Sequence, residues 1–140
     1  MLLKGKIEKF SSRTAWVQYK ETFELEIRLM TRAHGAEILE SCQVRTWNPS
    51  TASYMVTVDG DKYYEAIGRD IVRNWRGLTP EILRTLVDMK EYPAEEVPYS
   101  PEDAAELLSK ANGLDQWVQN VAKNMEFFEA ARRAAETKNS

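Results

Sequence analysis

His34 and Cys42 are the only histidine and the only cysteine in the chain. A thiol beside an imidazole can be a nucleophile, and imidazole with thiolate can ligate zinc. The spacing argues against both chemistries. His34, Ile38 and Cys42 fall at i, i+4, i+8 of a helical stretch, which puts two turns, about 12 Å of rise, between imidazole and thiol. A base at that distance cannot reach the nucleophile, and a metal site needs about three protein ligands. Both side chains read as packing residues. Glu24 and Glu26 could do acid–base work as a pair, but they alternate with apolar residues and read as the solvated face of a strand. The expectation is therefore no catalytic residues, no cofactor, no metal, and a protein that is not an enzyme.

Binding residues are the better candidates. Arg69, Arg73 and Arg76 sit at i, i+4, i+7 of an apparent helix, with Arg84 nearby. Such a basic stripe could meet a phosphate backbone or an acidic partner segment. No aromatic interleaving or Gly-rich loop accompanies it, and the chain is net acidic at −3, so nucleic acid is not the expected partner. Four tryptophans are many for this length. Trp75 and Trp117 fall on apolar helical faces and read as core. Trp47 stands beside Asn48-Pro49 in an expected loop and is the candidate exposed anchor at an interface. Between Glu91 and Ser100, Pro93 and Pro98 forbid a helix. This strap should run extended, with Val97 and Tyr99 packed into a groove from which they could move aside for a partner.

The elements that must carry these residues follow from periodicity. Phe23 to Leu29 alternates apolar and charged residues, the mark of a half-buried strand. Ala15 to Tyr19 precedes it as the other arm of a β-hairpin, and residues 6–10 could add a third strand. Thr31 caps a helix. Trp47 to Thr51 reads as a loop, and Tyr54 to Val58 as a strand or an ordered arm. A helix is expected from about Lys62 to Arg76, with Tyr64, Ile67, Ile71 and Trp75 on one face and Gly77 ending it. Thr79-Pro80-Glu81 and Ser100-Pro101-Glu102-Asp103 open two further helices. A last helix runs from about Asp115 to Glu136, with Leu114, Val118, Val121, Met125 and Phe128 in a 4-3-4-3 rhythm. The expected fold is α+β and mostly helical: one domain, 1–140, with a β-hairpin region at 1–30, about five helices over 31–136, and fraying at 137–140.

The 140 residues suit one domain, and 43% hydrophobic with 29% charged residues suits a packed core under a solvated surface. A single cysteine makes the fold independent of an oxidising compartment. No secretory signal and no membrane span is read in the sequence, so the expected location is intracellular.

Two segments carry a resemblance. Asp61 to Leu78 ends in Asn74-Trp75-Arg76-Gly77-Leu78, and Val97 to Ala104 reads Val-Pro-Tyr-Ser-Pro-Glu-Asp-Ala. Together with the charged strand running into Thr31-Arg32-Ala33 and the closing stretch from Trp117 to Phe128, they resemble the tail assembly chaperones of long-tailed bacteriophages in order and spacing. Asp103 stands where that family commonly has Asn, which leaves the cap chemistry intact. The resemblance implies a non-enzymatic late protein in the cytoplasm of the bacterial host. It would bind the tape measure protein, with the tail tube protein and self-association as further contacts, and be absent from the finished virion. In many such proteins a ribosomal frameshift yields a longer product. A small structural component of a tail or head–tail junction is the other function considered.

Overall fold

A computed structural model describes residues 2–139 of the protein. In chain order it contains β1 (Thr14–Lys20), β2 (Phe23–Arg28), α1 (Arg32–Ser41), β3 (Gln43–Asn48), β4 (Ser53–Val58), α2 (Gly60–Asp70), β5 (Val72–Arg76), α3 (Pro80–Leu86), α4 (Pro101–Lys110), α5 (Leu114–Ala122) and α6 (Met125–Asn139). The α+β class with an N-terminal hairpin is as expected. Residues 6–10 form turns and bends instead of a third strand. No helix among the described residues is long and apolar enough to cross a membrane.

The alternation over Phe23–Arg28 does what the period-two pattern implies. Phe23, Leu25 and Ile27 are fully buried, and Glu24, Glu26 and Arg28 lie on the opposite, half-exposed face. β2 is the centre of a three-stranded antiparallel sheet ordered β1-β2-β5. The buried face of this sheet meets α2, α4 and α5, whose Ile67, Leu108, Leu114 and Val118, with Ile71 just past α2, complete the core. α2 packs most extensively on α4. Gly68 permits that approach, because a Cβ there would stand 2.4 Å from the carbonyl oxygen of Ala104.

β5 is the main departure from the expected helix over residues 62–76. α2 ends at Asp70, and the chain turns into a strand. The pairing explains why the helical pattern misleads. Glu26 pairs with Asn74 while Ile27 pairs with Val72, so Arg73 is an extra residue bulged out of β5. The bulge lets Val72 and Trp75, three residues apart, both turn inward. On a helix the same spacing would mark one face. Gly77 does take a positive φ, 75°, but it ends a strand and not a helix. A Cβ there would fall 1.8 Å from the carbonyl oxygen of Thr22, and the Thr22 hydroxyl donates to the Gly77 carbonyl at 2.9 Å.

Two further segments differ. The residues expected to form a loop around Trp47 belong to β3, which pairs with β4 through six consecutive residues into a second hairpin. Hence 31–136 is not wholly helical. The single last helix is two, because Asn124 interrupts it: its side-chain oxygen accepts the Phe127 amide at 3.1 Å and caps α6. Met125 is thereby turned out to solvent, while Phe128 stays buried. α6 is helical through Asn139, past the Thr137 where fraying was expected, and Ser140 lies outside the described residues.

Candidate partner-binding surfaces

The proline-bearing strap from Glu91 to Ser100 is non-helical, as its prolines require, but it bends at Glu91 and at Ala94–Glu95 where an extended course was expected, and it is tied down from below. The Trp75 indole donates to the Val97 carbonyl at 3.0 Å, the Val97 amide donates to the Leu78 carbonyl at 2.9 Å, and the Tyr99 hydroxyl donates to the Val72 carbonyl at 2.8 Å. Trp75 and Tyr99 meet edge to face at 5.3 Å. Burial raises the Tyr99 hydroxyl above its ordinary value. Val97 and Tyr99 are therefore half-buried fasteners of the strap.

Between strap, α3 and α4 lies a cavity of about 670 Å³. Its floor is Trp75, Leu78, Leu83, Val87, Val97 and Leu107. Asp88, Glu91, Asp103 and Glu106 stand around it, with Lys110 the one cation in the lining. The arrangement is an apolar trough with an acidic rim. Sequence reasoning found the strap but not the trough, because the trough exists only where α3 and α4 meet beneath the strap in the folded chain. Pro93 and Pro98, which hold the chain away from a helical path over these residues, were the available signal.

The second surface is the β3–β4 arm. The Asp59 amide donates to the Cys42 carbonyl at 2.9 Å and closes its base between α1 and α2. Every residue of β4 is exposed. Trp47 does prove solvent-facing, at 52% exposure, but from a strand and not from a loop. The register places Trp47 opposite Tyr54, Arg45 opposite Val56 and Gln43 opposite Val58. One face of the ribbon thus carries Trp47, Tyr54, Val56 and Val58. Trp47 and Tyr54 are 5.1 Å apart in a T-shaped pair, and the Arg45 guanidinium lies over the Tyr54 ring at 4.8 Å. The β-branched and aromatic residues on both sides of Asn48-Pro49-Ser50 were the signal for a hairpin; the absence of a buried face removed the usual alternation.

The arginines do not form a stripe. Arg69 is exposed on α2, Arg73 occupies the β5 bulge, and Arg76 lies on the outer face of the sheet. There Arg76 pairs with Glu24 at 2.7 Å and covers the Trp16 ring at 4.2 Å. It is occupied in holding β5 to the hairpin. His34 and Cys42 are both buried. His34 stacks on Phe10 at 4.3 Å, its Nδ1 has no hydrogen-bond partner, and burial, reinforced by the charge of Arg28, lowers its pKa below the ordinary value. Among the described residues no group of three or more His, Cys, Asp or Glu could hold a metal ion.

A family model described as YdaY prophage protein matches residues 17–139 of the chain, which takes in β1 from Val17 onward and every later element, the arm and the strap among them. No curated protein and no solved structure matches it.

Proposed function

We propose that this chain, which belongs to the YdaY prophage protein family, is a non-enzymatic tail assembly chaperone that binds the tape measure protein and assists assembly of the tail tube around it. The order and spacing of the sequence segments around Trp75-Arg76-Gly77 and Val97-Pro98-Tyr99 point the same way. The observation that carries the proposal is the trough under the strap. Its apolar floor and acidic rim suit an amphipathic helix that offers an apolar stripe flanked by basic residues. A tape measure helix presents such stripes to water until the tube forms, and it would aggregate alone. Two or three side chains seated in the trough contribute about 1.5–3 kcal/mol each. Less the cost of association, that is a reversible hold, as a protein must have if it is to leave when tube subunits arrive. In this account the chain works in the bacterial cytoplasm and does not remain in the virion.

The test is to express the tape measure protein with and without this chain and to fractionate. The chain should move tape measure protein into the soluble fraction and co-purify with it. Met89→Asp, at an exposed position in the trough lining, should abolish co-purification without unfolding the protein. An unchanged insoluble fraction with no co-purification overturns the proposal.

A further inference from the structure

We propose that the β3–β4 arm is a self-association element, through which two copies of the chain join β4 edge to β4 edge about a two-fold axis into a four-stranded sheet. The proposal does not rest on the tape measure reading.

β4 reads Ser53-Tyr54-Met55-Val56-Thr57-Val58. Edge strands are usually protected by a charge, a proline, a bulge or a covering element. β4 has no charged residue and no proline, its register with β3 runs unbroken, and its side chains stand in solvent, from 46% exposed at Val58 to 58% at Tyr54. A two-stranded ribbon alone is marginal in water, and pairing into a larger sheet is the direct remedy.

The chemistry of the strand selects the occupant. The arm's only charge, on Arg45, stands on β3 over the Tyr54 ring, so the β4 edge itself offers a charged partner nothing to pair with. A second copy meets no such difficulty. An axis through Val56 sets Val56 against Val56 of the second copy, Tyr54 against its Val58 and Met55 against its Thr57. These are aromatic–β-branched and aliphatic pairs of the kind that stabilise antiparallel sheets, and no like charges oppose one another. The same axis keeps each copy's Trp47–Tyr54 face on one side of the joined sheet.

Sedimentation equilibrium across low to high micromolar concentration, on the protein alone, tests this. The expected mass rises with concentration from the 16.1 kDa of one chain toward twice that value, and β4 amides exchange more slowly as it does so. Val56→Glu, which places two carboxylates opposite each other across the axis and one carboxylate opposite Arg45 within each chain, should hold the protein at one chain throughout without unfolding it. Met89→Asp, in the trough, should leave the dimer intact. A single-chain mass at every concentration overturns the proposal. So does a dimer that survives Val56→Glu, or β4 protection that appears only when tape measure protein is added.

Discussion

β2 and β4 are six-residue strands of one chain with opposite fates. β2 carries three charged residues, Glu24, Glu26 and Arg28, yet lies at the centre of the fold with Phe23, Leu25 and Ile27 fully buried. β4 carries no charge, yet is exposed along its whole length. Hydrophobicity alone does not place a strand inside. β2 is buried because its polar residues all fall on one face, so the other face can meet helices while Glu24 pairs with Arg76 in solvent. β4 has apolar residues on both faces, and only β3 lies beside it. The first pattern builds a core within one chain. The second is left to be completed by another.

If that contrast is right, substitutions around β2 and β5 should damage the fold, and substitutions in the arm should not. The largest effect is expected at Gly77. A side chain there meets the Thr22 carbonyl and must also adopt φ near 75°, so Gly77→Val should cost about 4 kcal/mol or more, or prevent folding, as read by chemical denaturation. Trp75→Ala comes next, at roughly 3–5 kcal/mol, because the indole is buried against Phe23 and Tyr99. Trp75→Phe keeps most of the volume but strands the Val97 carbonyl. It should cost about 1–2 kcal/mol and speed hydrogen exchange in the strap.

A smaller effect is expected from pH. The folded state holds His34 below its ordinary value near 6.5, mainly through burial, with Arg28 acting in the same direction and Asp70 and Glu37 opposing. As pH falls through about 6.5, the unfolded chain takes up a proton that the folded chain refuses. Stability should therefore decline toward pH 5 and gain nothing from this group at higher pH. His34→Leu should flatten that part of the profile and remove the unpartnered Nδ1, as measured by thermal melts across pH. The smallest effects belong to the arm. Trp47→Ala and Val56→Glu should each change the stability of the single chain by no more than about 0.5 kcal/mol. Losses there comparable to Trp75→Ala would break the contrast.

The parts of the fold that were legible in the sequence are those where local chemistry and burial agree. The β2 alternation, the caps at Thr31, Thr79 and Ser100, and the non-helical strap that holds Pro93 and Pro98 stand as expected. Three features were hidden, each for a physical reason. The Arg73 bulge gives β5 a helical spacing of buried residues, so a strand reads as the end of a helix and three arginines read as a stripe. The arm has no buried face, so no period appears in it. Asn124 caps a helix inside a run whose apolar rhythm continues across the break. Of the candidate contact residues, Trp47 was legible as exposed, and Val97 and Tyr99 as groove packers. The trough they help to form required the tertiary meeting of α3 and α4.

Hydrogen exchange on the free protein and on its complex with the tape measure protein tests most directly whether the trough is the binding surface. Slower exchange across α3, the strap and α4, roughly the stretch 80–110, with β1 and β2 unchanged, is the predicted result. Unchanged exchange in that stretch, with protection elsewhere on the chain, would contradict it.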